Sequence, residues 1–468
     1  MFRFLRRKVA AIPNGRGLCG QVGAAIVIAI AIAVGSFGFS KNASARGIPL
    51  IRDTEIEQLL SDYARPIFRV SGLGGGRVAV KIVRSRIFNA FVIDGRNMFI
   101  HTGALMQSET PNQIIGVIAH EAGHIAGGDL AALRARMKRD QTRILLLRIL
   151  GLGAAIASGD GRAIGAGDNL VMRSMLADRR AREAAADQRA LEYLNATRQS
   201  GIGMLETFMR FQRQEYISDQ QKDPFVRSHP ISTQRLALLR NRVRQSPHFG
   251  RRDSAQLQLR HDMMRAKLSG YLEAPDTVFN RYPQRDQSLP AKYARAIATF
   301  FRGGQGGLNA ALAAVDELIR IDPDYPYFYE LKADFLQRSG RPAEAASYLR
   351  KALQLAPGAT LMQVRLGSVM LASRGKAAAG EVINMVRRAI REDAKYDDEK
   401  PRAYRVLGQA YYLQGNLARS YAATAEAYFL AGNLKQAQIF AKRAQPGLSE
   451  GSPTWRRMEE IVTFKRES

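Results

Sequence analysis

The stretch Ile114–Asp129, IIGVIAHEAGHIAGGD, reads as a buried helix with His120, Glu121 and His124 set into it as H-E-x-x-H. At about 100° per residue, positions four apart return to nearly the same helical face, so the two imidazoles converge on one cation while Glu121 points to its flank. Such geometry suits zinc with an activated water. Neutral imidazole is a good zinc ligand, the metal lowers its water's pKa to about 7, and a neighbouring carboxylate can take the proton during attack on a carbonyl. One Zn2+ per chain and peptide-bond hydrolysis are the first expectations. The chain has only six His, so chance explains the pattern poorly. Ile114, Ile115, Val117 and Ile118 give an apolar lead-in, and Gly123 leaves room for a second helix to pack closely.

A pair of histidines needs a third ligand. Zinc sites of this kind take either a histidine six residues beyond the second, in a longer pattern ending G-x-x-H, or a glutamate from a later helix. Gly127 stands at the glycine position of the longer pattern, but Leu130 stands where its histidine would be. The ligand is therefore expected elsewhere. Asp178–Leu194, DRRAREAAADQRALEYL, is an Ala-rich helix with Glu183 and Asp187 four apart on one face. Glu183 is the expected third ligand, and Asp187 the carboxylate that orients a ligating imidazole through its free N–H. The plainer alternative makes both acids solvated partners of Arg179, Arg182 and Arg189.

His120-Glu121-Ala122-Gly123-His124 and Glu183-Ala184-Ala185-Ala186-Asp187, with Asn89-Ala90-Phe91 ahead and Ser228-His229-Pro230 behind, resemble the Ste-type and HtpX-type gluzincin metalloproteases. Within these the chain is most similar to the exported branch that carries a C-terminal tetratricopeptide array. The resemblance spans essentially the whole chain after its N-terminal segment. It implies zinc held by His120, His124 and Glu183, Glu121 as general base, and envelope quality control against misassembled outer-membrane proteins. Arg227-Ser228-His229-Pro230 followed by Arg235 also fits the family pattern. His229 would either support the oxyanion of the tetrahedral intermediate or fill the open zinc position and hold the enzyme latent. A bland histidine at a helix entry is the third possibility. His101, His248 and His261 belong to no motif and read as surface or packing residues.

Composition is that of an ordinary globular protein, 46% apolar and 24% charged over 468 residues, with room for two or three domains. The formal net charge is +28, which favours a polyanionic neighbour: nucleic acid or an anionic membrane surface. The N-terminus decides between them. Basic Arg3–Lys8 precedes apolar Val22–Phe39 and then Ala43-Ser44-Ala45, the pattern of a cleavable export signal over residues 1–45. An uncleaved anchor is the alternative, because about 18 apolar residues approach the roughly 20 needed to span a bilayer. Either way export makes a nucleic-acid partner unexpected and an anionic membrane surface or envelope protein the better fit. The single cysteine, Cys19, precedes the apolar run, so a processed chain has neither disulfides nor thiolate metal sites.

From Asp53 to Ala64 the acidic start and helical spacing predict a helix. Strands are expected over Arg77–Val83, Ile87–Ile93 and Asn97–Thr102, the last two joined at Asp94-Gly95 as a hairpin. Either Phe88–Val92 or Met98–Thr102 is expected to form a sheet edge on which an extended substrate pairs, the equal alternative being an ordinary hairpin that covers the core. Basic Ala131–Arg143 leads into apolar Ile144–Ala157, read as a lid touching membrane or unfolded substrate rather than a buried hairpin.

A helix is expected over Ser254–Leu272, and polar, Pro-containing 276–290 reads as a linker. Beyond it Pro323 and Pro357 stand 34 residues apart, the tetratricopeptide period, with Tyr329, Leu331, Ala333, Gly340, Ala345, Tyr348 and Ala352 in the helix-turn-helix pattern between them. Stacked units of this kind give a concave surface for protein partners. The expected fold is mainly α: an α+β gluzincin-like domain with a small β-sheet over 46–275, the linker, an all-α repeat solenoid over 291–448, and a tail over 449–468. The expected function is an exported zinc endopeptidase with protein substrates, and by resemblance with outer-membrane assembly machinery reached through the repeats. A chaperone or scaffold with a vestigial metal site is the competing class. Intact Glu121 and Glu183 weigh against it.

Overall fold

The computed structural model describes residues 48–76, 78–136, 139, 163–212, 224–304, 306–392 and 400–465, with the backbone alone over 163–172. The expected export signal and the apolar segment Ile144–Ala157 lie outside the described residues. Among the described residues no helix is long and apolar enough to cross a membrane.

Helix α1 (Thr54–Val70) begins where Asp53 caps it, its carboxylate accepting from the Ile56 N–H at 3.0 Å, with Glu55 and Glu57 in the first turn. Ile56, Leu59, Leu60, Tyr63, Ile67 and Phe68 recur at helical spacing and are all buried. The helix outruns the expected end at Ala64 and continues through Pro66, because burying Ile67 and Phe68 compensates the backbone bond that proline cannot make.

Strands β1 (Leu50–Ile51), β2 (Ala79–Val83), β3 (Ala90–Val92) and β4 (Asn97–His101) form one sheet in the order β1-β2-β4-β3. β4 runs parallel to β2 and antiparallel to β3, with Phe91 opposite Phe99 and Val92 opposite Met98. The hairpin turns at Asp94, whose carboxylate accepts from the Asn97 N–H at 2.9 Å. Of the two expected edges, the structure makes β3 the edge and β4 an inner strand.

After the short helix α2 (Thr102–Gln107), helix α3 (Pro111–Ala126) starts with Pro111 in its first turn and is buried from Ile114 to His124. Helix α4 (Ala163–Ala196) packs along it, and the packing depends on Gly123. A Cβ there would stand 2.8 Å from the Ala186 carbonyl oxygen. Helices α5 (Ile202–Arg210), α6 (Pro224–Ser228), α7 (Thr233–Gln245) and α8 (Ala255–Leu272) complete the domain. Ile114, Ile118, Leu194, Phe208, Phe225 and Leu239 are among the buried side chains of its core.

Antiparallel helix pairs follow: α10 (Leu289–Arg302) with α11 (Gly307–Ile321), α12 (Pro326–Arg338) with α13 (Pro342–Leu355), α14 (Thr360–Arg374) with α15 (Lys376–Glu392), α16 (Lys400–Leu413) with α17 (Leu417–Leu430). Gly340 and Gly415 end α12 and α16 at φ 75° and 80°, the left-handed backbone a tight turn between paired helices requires.

Two stretches expected to be irregular are partly helical. Pro275 opens α9 (Pro275–Arg281) within the expected linker, and Val278 anchors it in the core of the first repeats. Likewise α18 (Leu434–Ala444) packs against α19 (Pro453–Thr463) in the expected tail, because Met458 and Ile461 complete an apolar cluster with Ala437 and Ala441. Polar and Pro-containing composition marked 276–290, but a few buried side chains decide the local structure in both segments. Helix α8 joins the two domains: Met264 and Leu268 enter the first core, Met263 and Ala266 the next. Leu50–Ser468 is accordingly one compact unit.

Candidate metal centre

Helix α3 presents His120 and His124 toward α4, and α4 answers with Glu183. Nε2 of His120 lies 3.1 Å from Nε2 of His124, and Glu183 offers Oε2 at 3.4 Å from the first and Oε1 at 3.5 Å from the second. The loop after α6 adds a fourth group. His229 Nδ1 stands 3.2 Å from His120 Nε2 and 3.2 Å from Glu183 Oε2. All four residues are buried, and their ligand atoms fall within 4.8 Å of one another.

These spacings test the fit to a metal. Ligand bonds of about 2.0–2.1 Å in a tetrahedral zinc site set neighbouring donors about 3.3 Å apart, and the pairs given above span 3.1–3.5 Å. Three imidazole nitrogens and a carboxylate turned inward on one point suit a cation better than they suit each other. The donor set of nitrogen and oxygen without sulfur matches zinc among other first-row divalent ions.

A second ring of groups fixes the first. His120 Nδ1 lies 3.0 Å from Asp187 Oδ1, a close ion-pair contact outside hydrogen-bond alignment. His124 Nδ1–H donates to Asp129 Oδ2 at 2.7 Å. Both contacts favour the proton on Nδ1 and leave Nε2 free for a metal. Arg235, on α7, grips Asp187 through Nε (2.5 Å) and Nη2 (2.7 Å), reaches Glu183 Oε2 at 3.0 Å, and stacks on Phe208 at 4.8 Å.

Burial works against every charge here and is overruled. It would raise the Glu183 carboxyl, yet His229, His120 and Arg235 hold it well below the ordinary range. Burial likewise opposes ionised Asp187, and Arg235 with His120 keeps its pKa low. Burial pushes His120 toward the neutral form, but Asp187 and Glu183 lift its pKa to about 9.

Glu121 sits one residue past His120 with both carboxylate oxygens buried and, among the described residues, accepting no hydrogen bond; Oε1 lies 3.3 Å from His229 Nε2. The centre opens into a cleft of about 520 Å3, walled by Phe91 and Val92 of the edge strand and by Leu130, Leu133, Met175 and Leu176. Ser228 Oγ–H donates to the Pro224 carbonyl at 2.9 Å and lies 3.4 Å from Asn89 Oδ1, and Arg179 Nη2–H donates to the Ser228 carbonyl at 2.7 Å. The outlying Asn89-Ala90-Phe91 and Ser228-His229-Pro230 pieces thus meet at the rim.

Residues 51–243 match the model of peptidase family M48. This stretch is an M48 peptidase domain. The chain is 24% identical over 410 residues to the beta-barrel assembly-enhancing protease of Yersinia pestis, covering 84% of this chain and 80% of that one. It is 23% identical over 189 residues to metalloprotease LoiP of Escherichia coli (strain K12), covering 39% of this chain and 71% of LoiP. Tetratricopeptide repeat protein 13 of Homo sapiens is 34% identical over 116 residues, 24% of this chain and 13% of that protein. The chain is a metalloprotease, a hydrolase dependent on a divalent metal.

The structure brings all six expected site residues together: His120, Glu121, His124, Glu183, Asp187 and His229. Sequence reasoning assigned no role to Asp129 or Arg235. For Asp129 a signal existed, a carboxylate just beyond the second histidine and able to reach back to it. Arg235 stands 48 residues beyond its partner Asp187, and no local pattern pairs them. His101 packs on Phe91 at 5.7 Å and His261 is wholly buried, so His261 is a packing residue.

Proposed function

We propose that the chain is an exported zinc endopeptidase that hydrolyses peptide bonds of misfolded or misassembled envelope proteins, its helix-pair array recruiting substrates or partners as a tetratricopeptide domain. The observation that carries the reading is the convergence of His120 Nε2, His124 Nε2 and Glu183 beside an unencumbered Glu121 carboxylate. Zinc, when bound, supplies a Lewis acid that acidifies a water and polarises the scissile carbonyl. His120, His124 and Glu183 hold it. Asp187 and Asp129 keep both ring nitrogens facing the metal unprotonated. Glu121 takes the proton of the attacking water and returns it to the departing amine. The edge strand β3 offers its unpaired backbone N–H and C=O groups to an extended substrate along the cleft.

The position of His229 favours latency over oxyanion support. Its Nδ1 stands among the ligand atoms at ligand spacing, the place an incoming carbonyl or water would otherwise take. The envelope setting draws on the basic charge, the expected N-terminal signal and the relative named for β-barrel assembly. An anionic membrane surface and the outer-membrane assembly machinery are the partners this reading implies, and nucleic acid is not.

Metal analysis of the purified chain beside casein cleavage tests the reading. The wild type should carry one zinc and cleave. Glu121→Gln should retain zinc and lose cleavage, and Glu183→Ala should lose both. Cleavage surviving in Glu121→Gln would refute the mechanism.

A further inference from the structure

A second cavity, about 550 Å3, lies where the protease domain meets the repeats, remote in sequence from every metal-site residue. Its protease wall is β1, the other edge of the sheet, with Thr54 and Arg84; α8 supplies Lys267 and Tyr271. Its repeat wall is Glu330 and Asp334 on α12, Leu361, Val364 and Arg365 on α14, and Arg402 on α16.

Charge in this cavity is divided. Deep inside, Lys267 pairs with Asp53 at 2.7 Å and Glu55 at 3.1 Å. Toward the repeats, Asp334 is shared by Arg338, Arg365 and the Tyr271 hydroxyl, so two cations face one carboxylate. Arg84 and Arg402 are exposed and, among the described residues, have no hydrogen-bond or ion-pair partner. The rim is therefore cationic.

Among the described residues, two polar atoms inside also lack hydrogen-bond partners. Thr54 Oγ1 makes no hydrogen bond, and Glu330 Oε2 makes none either, its nearest cation being Lys267 Nζ at 3.8 Å. Buried polar atoms left this way are costly unless a ligand or solvent meets them. Ile51, Leu268, Leu331 and Val364 add apolar surface to the lining.

We propose that this cavity receives the C-terminal end of a polypeptide, with the terminal carboxylate on Arg84 and Arg402 and an apolar side chain against Leu331 and Val364. The proposal rests on the endopeptidase reading and gives its repeats a specific ligand chemistry. Guanidinium is the side chain suited to bidentate carboxylate recognition. The orphan acceptor on Glu330 suits a backbone N–H, which a peptide end has and a free phosphate lacks. A free edge strand beside it offers pairing to an extended backbone. A polypeptide whose terminus has failed to find its place in a folded structure would expose this group.

Fluorescence anisotropy on the full zinc-loaded Glu121→Gln chain tests the proposal, using one labelled hexapeptide with an apolar last residue, as the free acid and as the C-terminal amide. The acid should bind at least about tenfold tighter than the amide, as loss of a charge-assisted hydrogen bond predicts. Arg84→Gln or Arg402→Gln should bring the acid down to the amide level with an unchanged thermal melt. In the otherwise wild-type chain, neither substitution should alter cleavage of a short internal-site peptide. Equal binding of acid and amide, or arginine variants that bind like their parent, would overturn the proposal. So would arginine variants that lose only binding to phosphatidylglycerol vesicles, which would make the rim a lipid contact. Loss of casein cleavage in Glu121→Gln is judged separately, so the cavity can fail while the protease reading stands.

Discussion

Arg235 and Asp187 form a buried two-bond pair, guanidinium to carboxylate at 2.5 and 2.7 Å, and the same guanidinium reaches the Glu183 carboxylate at 3.0 Å. One cation therefore sets the orientation of a metal-facing carboxylate and of the acid behind His120. Removing one partner of such a buried pair strands a charge, which costs about 3–5 kcal/mol. Arg235→Lys keeps the charge but loses the planar fork. Zinc affinity in Arg235→Lys should fall about 10–100-fold, measured by competition with a chelator, while the helical signal in circular dichroism is retained. Wild-type affinity would show that the fork does not position the centre.

His229 offers a test with two opposite outcomes. With Nδ1 at ligand spacing and Nε2 beside Glu121, His229→Ala should open a position at the metal and raise casein cleavage several-fold, with zinc content unchanged. If cleavage instead disappears while zinc is kept, His229 supports the oxyanion.

The approach of α3 to α4 rests on Gly123, where an added Cβ would come 2.8 Å from the Ala186 carbonyl oxygen and 3.2 Å from its Cα. Both obstacles are backbone, so the helices must move apart. Overpacking of this kind costs about 1–3 kcal/mol. Because His120 and His124 ride on one helix and Glu183 on the other, Gly123→Ala should weaken zinc binding as well as lower the melting temperature. Loss of stability with full zinc affinity would show that the ligands follow the helices without strain.

What the sequence made legible, and what it did not, divides by range. H-E-x-x-H is a local pattern, and Glu183 with Asp187 is another; each is readable because side chains four apart share a helical face. The absence of histidine at Leu130 sent the search for a third ligand to α4, whose Glu183 carboxylate lies 3.4 and 3.5 Å from the two imidazole Nε2 atoms. The choice of β3 over β4 as the sheet edge was not legible, because it depends on β2 pairing in parallel with β4, a contact no turn signal announces. Arg235 was picked out only as part of the family pattern, and its pairing was not legible for the same reason: it exists only after α4 and α7 are packed. Residues 276–290 misled because composition reports average polarity, and one buried Val278 outweighs it.

His261 carries a pH prediction independent of the metal. It is fully buried, with Nδ1 accepting from the Tyr63 hydroxyl at 3.0 Å and Nε2–H donating to the Ser108 carbonyl at 2.9 Å. Burial disfavours the imidazolium and lowers its pKa to about 4. A depressed basic group binds fewer protons folded than unfolded between about pH 4 and 6.5, so stability rises with pH across that window and is lost as pH falls through it. At pH 5 this one group should cost about 2 kcal/mol relative to pH 7. His261→Gln removes the titration and, though less stable at pH 7, should show a smaller loss of melting temperature from pH 7 to 5 than the wild type. Equal slopes would mean that the imidazole is accommodated charged, with the Tyr63 hydroxyl turning to accept its second proton.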